Sequence, residues 1–414
     1  MTGFVQDFRY ALRQLRKSPG FATTAILILT LGIAASTAIF GFVDAALIKP
    51  LPYQNPSQLV MVTGSVSVLP RANLSYPDYL DWKKMNKVFA SMDVYRDEGF
   101  LVRTSTGTEP VPATRVSDGF FRTLGIAPML GRDFYPGEDL PEAANTVILS
   151  FATWQKRFGG RKDVIGEPFS LSGVPYTIVG VLPQSFQFAE QGSSEFWTTL
   201  HPTDSCSRRR SCHDLIGVGR LKDGVTVSMA LANMTAIARQ LEIQYPADNR
   251  GQGAFVAPLS DVIVKDVRPI LLALLGGAGL LLIIACVNVS SLLLVRSESR
   301  KREIAVRGAL GASRLRLMRQ FMTDGFVLVA ASSVLGVFVA RAAMQILTSL
   351  ISKDIMVGMP YLSGLGLNLH VLAFASAIAV TAMILFSLTP LLRLPLREIR
   401  EGLYEGGSGY AGTL

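Results

Sequence analysis

Few side chains in this sequence have the types and spacing to do chemistry. Its 414 residues include three histidines and three cysteines, and one short stretch gathers three of these six: Cys206, Cys212 and His213. Two thiols six residues apart can close a disulfide, or with an imidazole they can begin a metal site. The C-x5-C-H order lacks the usual ligand spacing. In an oxidising compartment the disulfide is the favoured reading, and it would close a small loop carrying Arg208, Arg209 and Arg210. Cys286 stands inside an apolar run and reads as a filler. There is no G-x-S-x-G elbow and no G-x-x-x-x-G-K-[ST] loop, so neither a hydrolase serine nor an ATP site of the chain's own is expected. Gly407, Gly409 and Gly412 spell G-x-G-x-x-G, but no strand pattern precedes them and no helix pattern follows. The carboxylates form no pair that differs from solvated surface. No catalytic, cofactor-binding or metal-binding residue is therefore expected.

The rest of the chemistry is charge. Arg296–Arg319 reads RSESRKREIAVRGALGASRLRLMR, with eight basic residues and two acids, Glu298 and Glu303. It lies between two long apolar runs. Within it Ile304, Ala305, Gly308, Ala309 and Ala312 recur at helical spacing, with Arg302, Glu303, Arg307 and Arg314 around them. Short cationic loops stay on the cytoplasmic side of a membrane, so this loop fixes an orientation and offers a surface for a partner.

The elements that hold this loop are membrane spans. The composition is 49% hydrophobic and 17% charged, with a mean hydropathy of +0.36, which a soluble domain rarely has. Residues 21–43, 269–295, 325–350 and 371–392 each exceed the roughly 20 residues needed to cross a bilayer core. The third contains one charge, Arg341, and a small-residue stripe of Ser332, Gly336 and Ala340; the first contains Gly32, Ser36, Ala34 and Ala38. Residues 1–20 alternate Phe4, Phe8, Leu12 and Leu15 with Arg9, Arg13, Arg16 and Lys17, the pattern of an interfacial helix on the cytoplasmic leaflet. Residues 44–268 form the large block outside, 296–320 the basic loop, and 393–414 a cytoplasmic tail. The net charge of +9 resides in the N-terminal segment and the basic loop, while residues 44–268 are neutral. That distribution is the positive-inside signature and argues against nucleic acid as a partner. Both termini are expected in the cytoplasm.

The loop sequence Arg302-Glu303-Ile304-x-x-Arg307-x-x-x-Gly311-Ala312 resembles the loop after the second span of the FtsX-like, MacB-like permeases of ABC transporters. The likeness extends to Asp7–Phe21, to Gly125-Ile126-Ala127-Pro128 with Arg132-Asp133-Phe134, and to Val147-Ile148-Leu149-Ser150 with Trp154 and Phe158-Gly159-Gly160. The resemblance implies an α+β extracytoplasmic domain on a four-helix transmembrane unit in a bacterial inner membrane. It implies a permease subunit that binds no cofactor directly and uses ATP through a cytoplasmic ABC ATPase on another chain. It assigns ATPase docking to a coupling helix containing Arg302, Glu303, Ile304, Arg307, Gly311 and Ala312. It also implies a homodimer or pseudo-dimer, a periplasmic adaptor and contact with membrane lipid. The alternative function is a membrane-anchored sensor or scaffold without ATPase coupling, and a weaker one is an enzyme with an outer active site. The N-terminal signature most resembles large permeases whose second half repeats the membrane architecture, so the chain reads either as a half-length version or as part of a longer one. In the family the outer segment carries a porter-like subdomain with a mostly β insertion, mapped here loosely to residues 120–220.

Overall fold

Proline is pre-organised for the first turn of a helix, where its missing N–H costs nothing. Pro19 opens the first helix, α1 (Pro19–Val43), in a computed structural model describing residues 9, 11, 13–104, 107–186, 188, 194–298, 314–350, 362 and 365–393. The helix does not stop at Asp44. It widens into a π-helical turn, Asp44–Ile48, because Ala45-Ala46-Leu47-Ile48 prolongs the apolar run past that single acid. The sequence assigns Asp44 to the outer block; the structure assigns it to the membrane bundle, and the outer unit begins at Ala46.

The outer unit is built of short strands and helices. In order these are β1 (Leu59–Val66), β2 (Leu69–Ala72), α2 (Tyr76–Met85), β3 (Phe89–Thr104), β4 (Gly107–Val116), α3 (Phe120–Leu124), β5 (Leu130–Gly131), β6 (Thr146–Leu149), α4 (Phe151–Phe158), β7 (Pro168–Leu171), β8 (Val174–Val181), β9 (Phe196–Thr199), β10 (Ile216–Leu221), α5 (Val227–Gln244), β11 (Gly253–Pro258) and α6 (Leu259–Val264). Hydroxyl caps start α2, α4 and α5. Ser75 accepts from the Asp78 N–H, Ser150 from Thr153 and Thr226 from Met229. In α5, Ala230, Met234, Ile237, Ala238 and Leu241 are buried, so one apolar stripe faces the sheet.

Among the described residues these strands make one sheet, in the order β11-β1-β10-β3-β4-β9-β6-β8-β5, with β2 added to β1 and β7 to β8. β4–β9 and β6–β8 are parallel. The sixteen-residue β3 serves three cores in turn. Met92 and Val94 pack in the core shared with α2 and α5, Tyr95 in a central aromatic core, and Phe100 and Val102 in the core under α4. The central core stacks Tyr95, Phe120, Phe121, Phe188 and Trp197 edge-on and face-on. Residues 120–220 share this sheet with the flanking segments, because β9 joins β4 and β10 joins β3.

The bundle unit adds α7 (Val267–Glu298), α8 (Arg314–Leu350) and α9 (Leu369–Arg393) to α1. Among the described residues, four segments are long and apolar enough to cross a membrane: Pro19–Ile48, Val267–Leu293, Met322–Leu350 and Leu369–Phe386. Small residues set how closely the helices approach. Where α8 crosses α1, a Cβ on Gly336 would sit 2.9 Å from Ile33 Cγ2. One turn earlier Ser332 Oγ donates to the Ile26 carbonyl at 3.3 Å, and one turn later Ala340 packs with Ala34, Ala38 and Met344. Gly32 abuts Leu282 and Ala285 of α7, and Ser36 Oγ donates to the Ala278 carbonyl at 3.3 Å. Arg341 is exposed, turned away from this packing.

Candidate functional site

The docking residues expected from the sequence, Arg302, Glu303, Ile304, Arg307, Gly311 and Ala312, lie outside the described residues, as does most of the 393–414 tail. The structure does place the cysteine loop. Cys206 and Cys212 are joined as a disulfide with their Cα atoms 5.3 Å apart, inside the range a disulfide requires. Short turns bring them together: the Arg209 N–H donates to the Cys206 carbonyl at 2.9 Å and Cys212 to Arg209 at 3.2 Å. Asp204 anchors the entrance, accepting from the Ser207 N–H at 2.7 Å. Both sulfurs take part in this bond, and His213 turns its Nε2 to Gln252 at 3.2 Å.

The closed loop presents Arg210 to two helices. Its fork donates to Asp78 Oδ1 at 2.6 Å and Asp81 Oδ2 at 2.5 Å on α2, and its plane lies 3.7 Å above the Tyr245 ring at the end of α5. The Asp78 side chain is 3% exposed and also accepts from Asn249 Nδ2 at 2.9 Å and Ser75 Oγ at 2.5 Å. Burial opposes the Arg210 charge, but the hydrogen bonds and attraction from Asp81 and Asp78 outweigh it and raise its pKa. Arg96 on β3 holds the two ends of the loop by pairing with Asp214 and, at 3.4 Å, Asp204. The loop is thus a staple across α2, α5 and the sheet.

A second polar group tests the enzyme alternative. Ser117, Lys83 and Thr123 converge on buried Asp93, and Lys83 Nζ also donates to the Tyr79 hydroxyl at 2.9 Å. Ser117 Oγ donates to Asp93 Oδ1 at 2.8 Å and accepts from the Val94 N–H at 3.0 Å. Burial alone would lower the Lys83 pKa, but Asp93 and Tyr79 raise it above its ordinary value, so the amine stays charged. A hydroxyl whose proton is committed and a lysine that cannot take a proton make no nucleophile–base pair. The group ties α2 to β3 and to the turn before α3.

The third polar group lies in the bundle. Asp44 is 0% exposed and accepts from Asn368 Nδ2 at 2.6 Å, with His370 Nδ1 at 2.9 Å from its other oxygen. Neither this clasp nor the Arg210 fork was picked out from the sequence. The signals available were an acid closing an uncharged 23-residue run, and a histidine at the start of a span.

The MacB-like periplasmic core domain family matches residues 22–237, and the FtsX-like permease C-terminal family matches residues 275–394. The "Macrolide export ATP-binding/permease protein MacB 1" of Yersinia pestis bv. Antiqua (strain Antiqua) is 25% identical over 233 residues, covering 55% of this chain and 34% of the relative. The MacB of Hahella chejuensis (strain KCTC 2396) is 26% identical over 289 residues, covering 66% and 40%. The chain thus spans about a third to two fifths of the length of these relatives. Among solved structures, the periplasmic region of MacB from Actinobacillus actinomycetemcomitans covers 51% of this chain and 94% of its own, at 13% identity and a TM-score of 0.39. The extracellular domain of the ABC-type transporter YknZ from Gram-positive bacteria covers 48% and 99%, at 14% identity and a TM-score of 0.35.

Proposed function

We propose, from the premise that this chain belongs to the MacB-like, FtsX-like family of ABC-transporter permeases, that it relays ATP-driven motion from a cytoplasmic ATPase to its outer domain. It is a multi-pass protein of the inner membrane. One observation carries the reading: a MacB-like core over residues 22–237 is followed in the same chain by an FtsX-like region over 275–394, and the basic loop falls inside the second. In this reading Arg302, Glu303, Ile304, Arg307, Gly311 and Ala312 dock a separate ATPase, and both termini face the cytoplasm. ATP binds that partner, not this chain. Two copies, or this chain and a similar half, form the working unit, and a periplasmic adaptor meets the outer domain. The Cys206–Cys212 disulfide forms on the periplasmic side. Macrolides, named for the relatives, are the first substrate class to test.

The test is co-expression with each ABC ATPase of the source organism that lacks a fused permease. The expected result is a stoichiometric complex in detergent whose ATPase rate differs from that of the ATPase alone. A chain that binds none of them is a sensor or scaffold instead.

A further inference from the structure

Asp44 is an acid buried in the membrane bundle at the point where α1 gives way to the chain of the outer unit. A carboxylate in that position is costly unless it is well paired. It is paired across 324 and 326 residues of sequence, with Asn368 Nδ2 at 2.6 Å and His370 Nδ1 at 2.9 Å. Asn368 is itself fixed as the cap of α9: its Oδ1 accepts from the Val371 N–H at 3.0 Å and its carbonyl from Leu372 at 3.0 Å. One turn further into the membrane the same two helices meet again, where Phe40 and Phe374 stack with ring centroids 3.9 Å apart. On the side facing α8, Gly41 lies against Met344, with only a methionine sulfur where its Cβ would be.

Two features separate this contact from ordinary packing. Asp44 begins a π-helical turn, Asp44–Ile48, and such turns are rare and gather at functional places in helices. The clasp also has one exposed side, since the His370 side chain is 63% exposed while Asp44 is not exposed at all. Apolar helix contacts slide by degrees. A directional polar clasp is either made or broken, which gives a joint two states. We infer that Asp44, Asn368 and His370 form a latch that holds the outer end of α1 to α9 at rest, and that this latch opens when the bundle moves. The latch residues are positioning residues, with the π-helical turn as the pivot. This rests on the relay reading above.

The experiment uses the full chain in lipid nanodiscs, with spin labels at Ile39→Cys and Leu372→Cys, both in the bundle unit, in a Cys286→Ala background. Distances between the labels are read without any ATPase. Wild type should give one narrow population. Asp44→Asn removes the charge and leaves one acceptor oxygen where there were two, and His370→Ala deletes one partner. Each should raise a wider population about tenfold, the scale of one lost hydrogen bond to a charged group. The double variant should add little to either single, and His370→Gln, which restores a donor, should return the narrow population. Unchanged distances in both single variants at wild-type melting temperature would overturn the inference, as would fully additive effects. If Asp44→Asn does not fold, His370→Ala decides, because Asp44 keeps Asn368 in that variant. Where an ATPase binds, vanadate-trapped nucleotide should move wild type to the wider population; a population that stays narrow overturns the latch as part of the relay. If no ATPase binds, the proposed function fails by itself, and the distances still decide whether the joint has two states.

Discussion

Replacing Arg210 with Ala is the sharpest test of how the outer domain is held. The side chain is half-buried and bridges Asp78, which is 3% exposed, and Asp81. Removing one partner of a buried pair costs about 3–5 kcal/mol because the other charge is left uncompensated. Asp78 would keep Asn249 and Ser75 as donors, which argues for the low end. The lost stacking on Tyr245 adds about 0.5–1 kcal/mol. The expected loss is therefore about 3.5–4 kcal/mol, and a domain of this size loses roughly 2–4 °C in Tm per kcal/mol. Calorimetry of the solubilised chain should find the outer-domain transition lowered by about 7–16 °C. Asp78→Ala in the Arg210→Ala background should cost much less than it does alone, since the two side chains share one interaction. A shift under about 2 °C, or additive effects, would refute the fork as a structural tie and leave Arg210 free for a surface role.

Other expectations follow from single contacts. Replacing Cys206 and Cys212 with serine should cost about 2 kcal/mol, the closure entropy of a short loop, and mapping that found both thiols free in the oxidised wild type would contradict the pairing. His201 is buried with backbone φ +44°, its Nε2 has no hydrogen-bond partner, and burial and then the nearby Arg115 lower its pKa below 6.5. The unfolded chain then takes the proton first, so this stability is full above about pH 6.5 and is lost as pH falls toward the folded value. His201→Asn, which tolerates the left-handed backbone, should flatten the outer-domain melting profile across that window, and an unchanged slope would refute the assignment. Gly336→Val should destabilise the bundle by about 1–3 kcal/mol through overpacking on Ile33, read as a lower melting temperature in detergent, whereas an unshifted transition would mean that the two helices part freely.

Local patterns carried the architecture in the sequence, and long-range pairing did not. Uncharged runs marked the spans because a bilayer tolerates little else, yet the start of the outer unit shifted from Asp44 to Ala46, since a single acid does not end a helix whose next four residues are apolar. The stripe of Ser332, Gly336 and Ala340 was legible because its spacing is that of one helix face. The Cys206–Cys212 pair was legible because both members lie in one short loop. Arg210 could be seen in that loop, but its partners Asp78 and Asp81 lie 132 and 129 residues away. Asp44 and His370 are separated by 326 residues. Nothing in the local sequence marks such a partner. The continuity of the sheet through residues 120–220 was equally hidden, because it depends on β9 returning to β4 in parallel.

The relay requires an ATPase contact on the basic loop, and the affinity of that contact is the most direct measurement. In the proposed coupling helix, Glu303 with Arg307 four residues on would contribute only about 0.2–0.5 kcal/mol; as one side of a buried charge pair at an interface its loss would cost about 2–5 kcal/mol. Glu303→Ala should therefore leave the melting temperature of the solubilised chain nearly unchanged and raise the Kd for the partner ATPase at least about tenfold. A Kd equal to wild type, with the melting temperature also unchanged, would contradict docking at this loop.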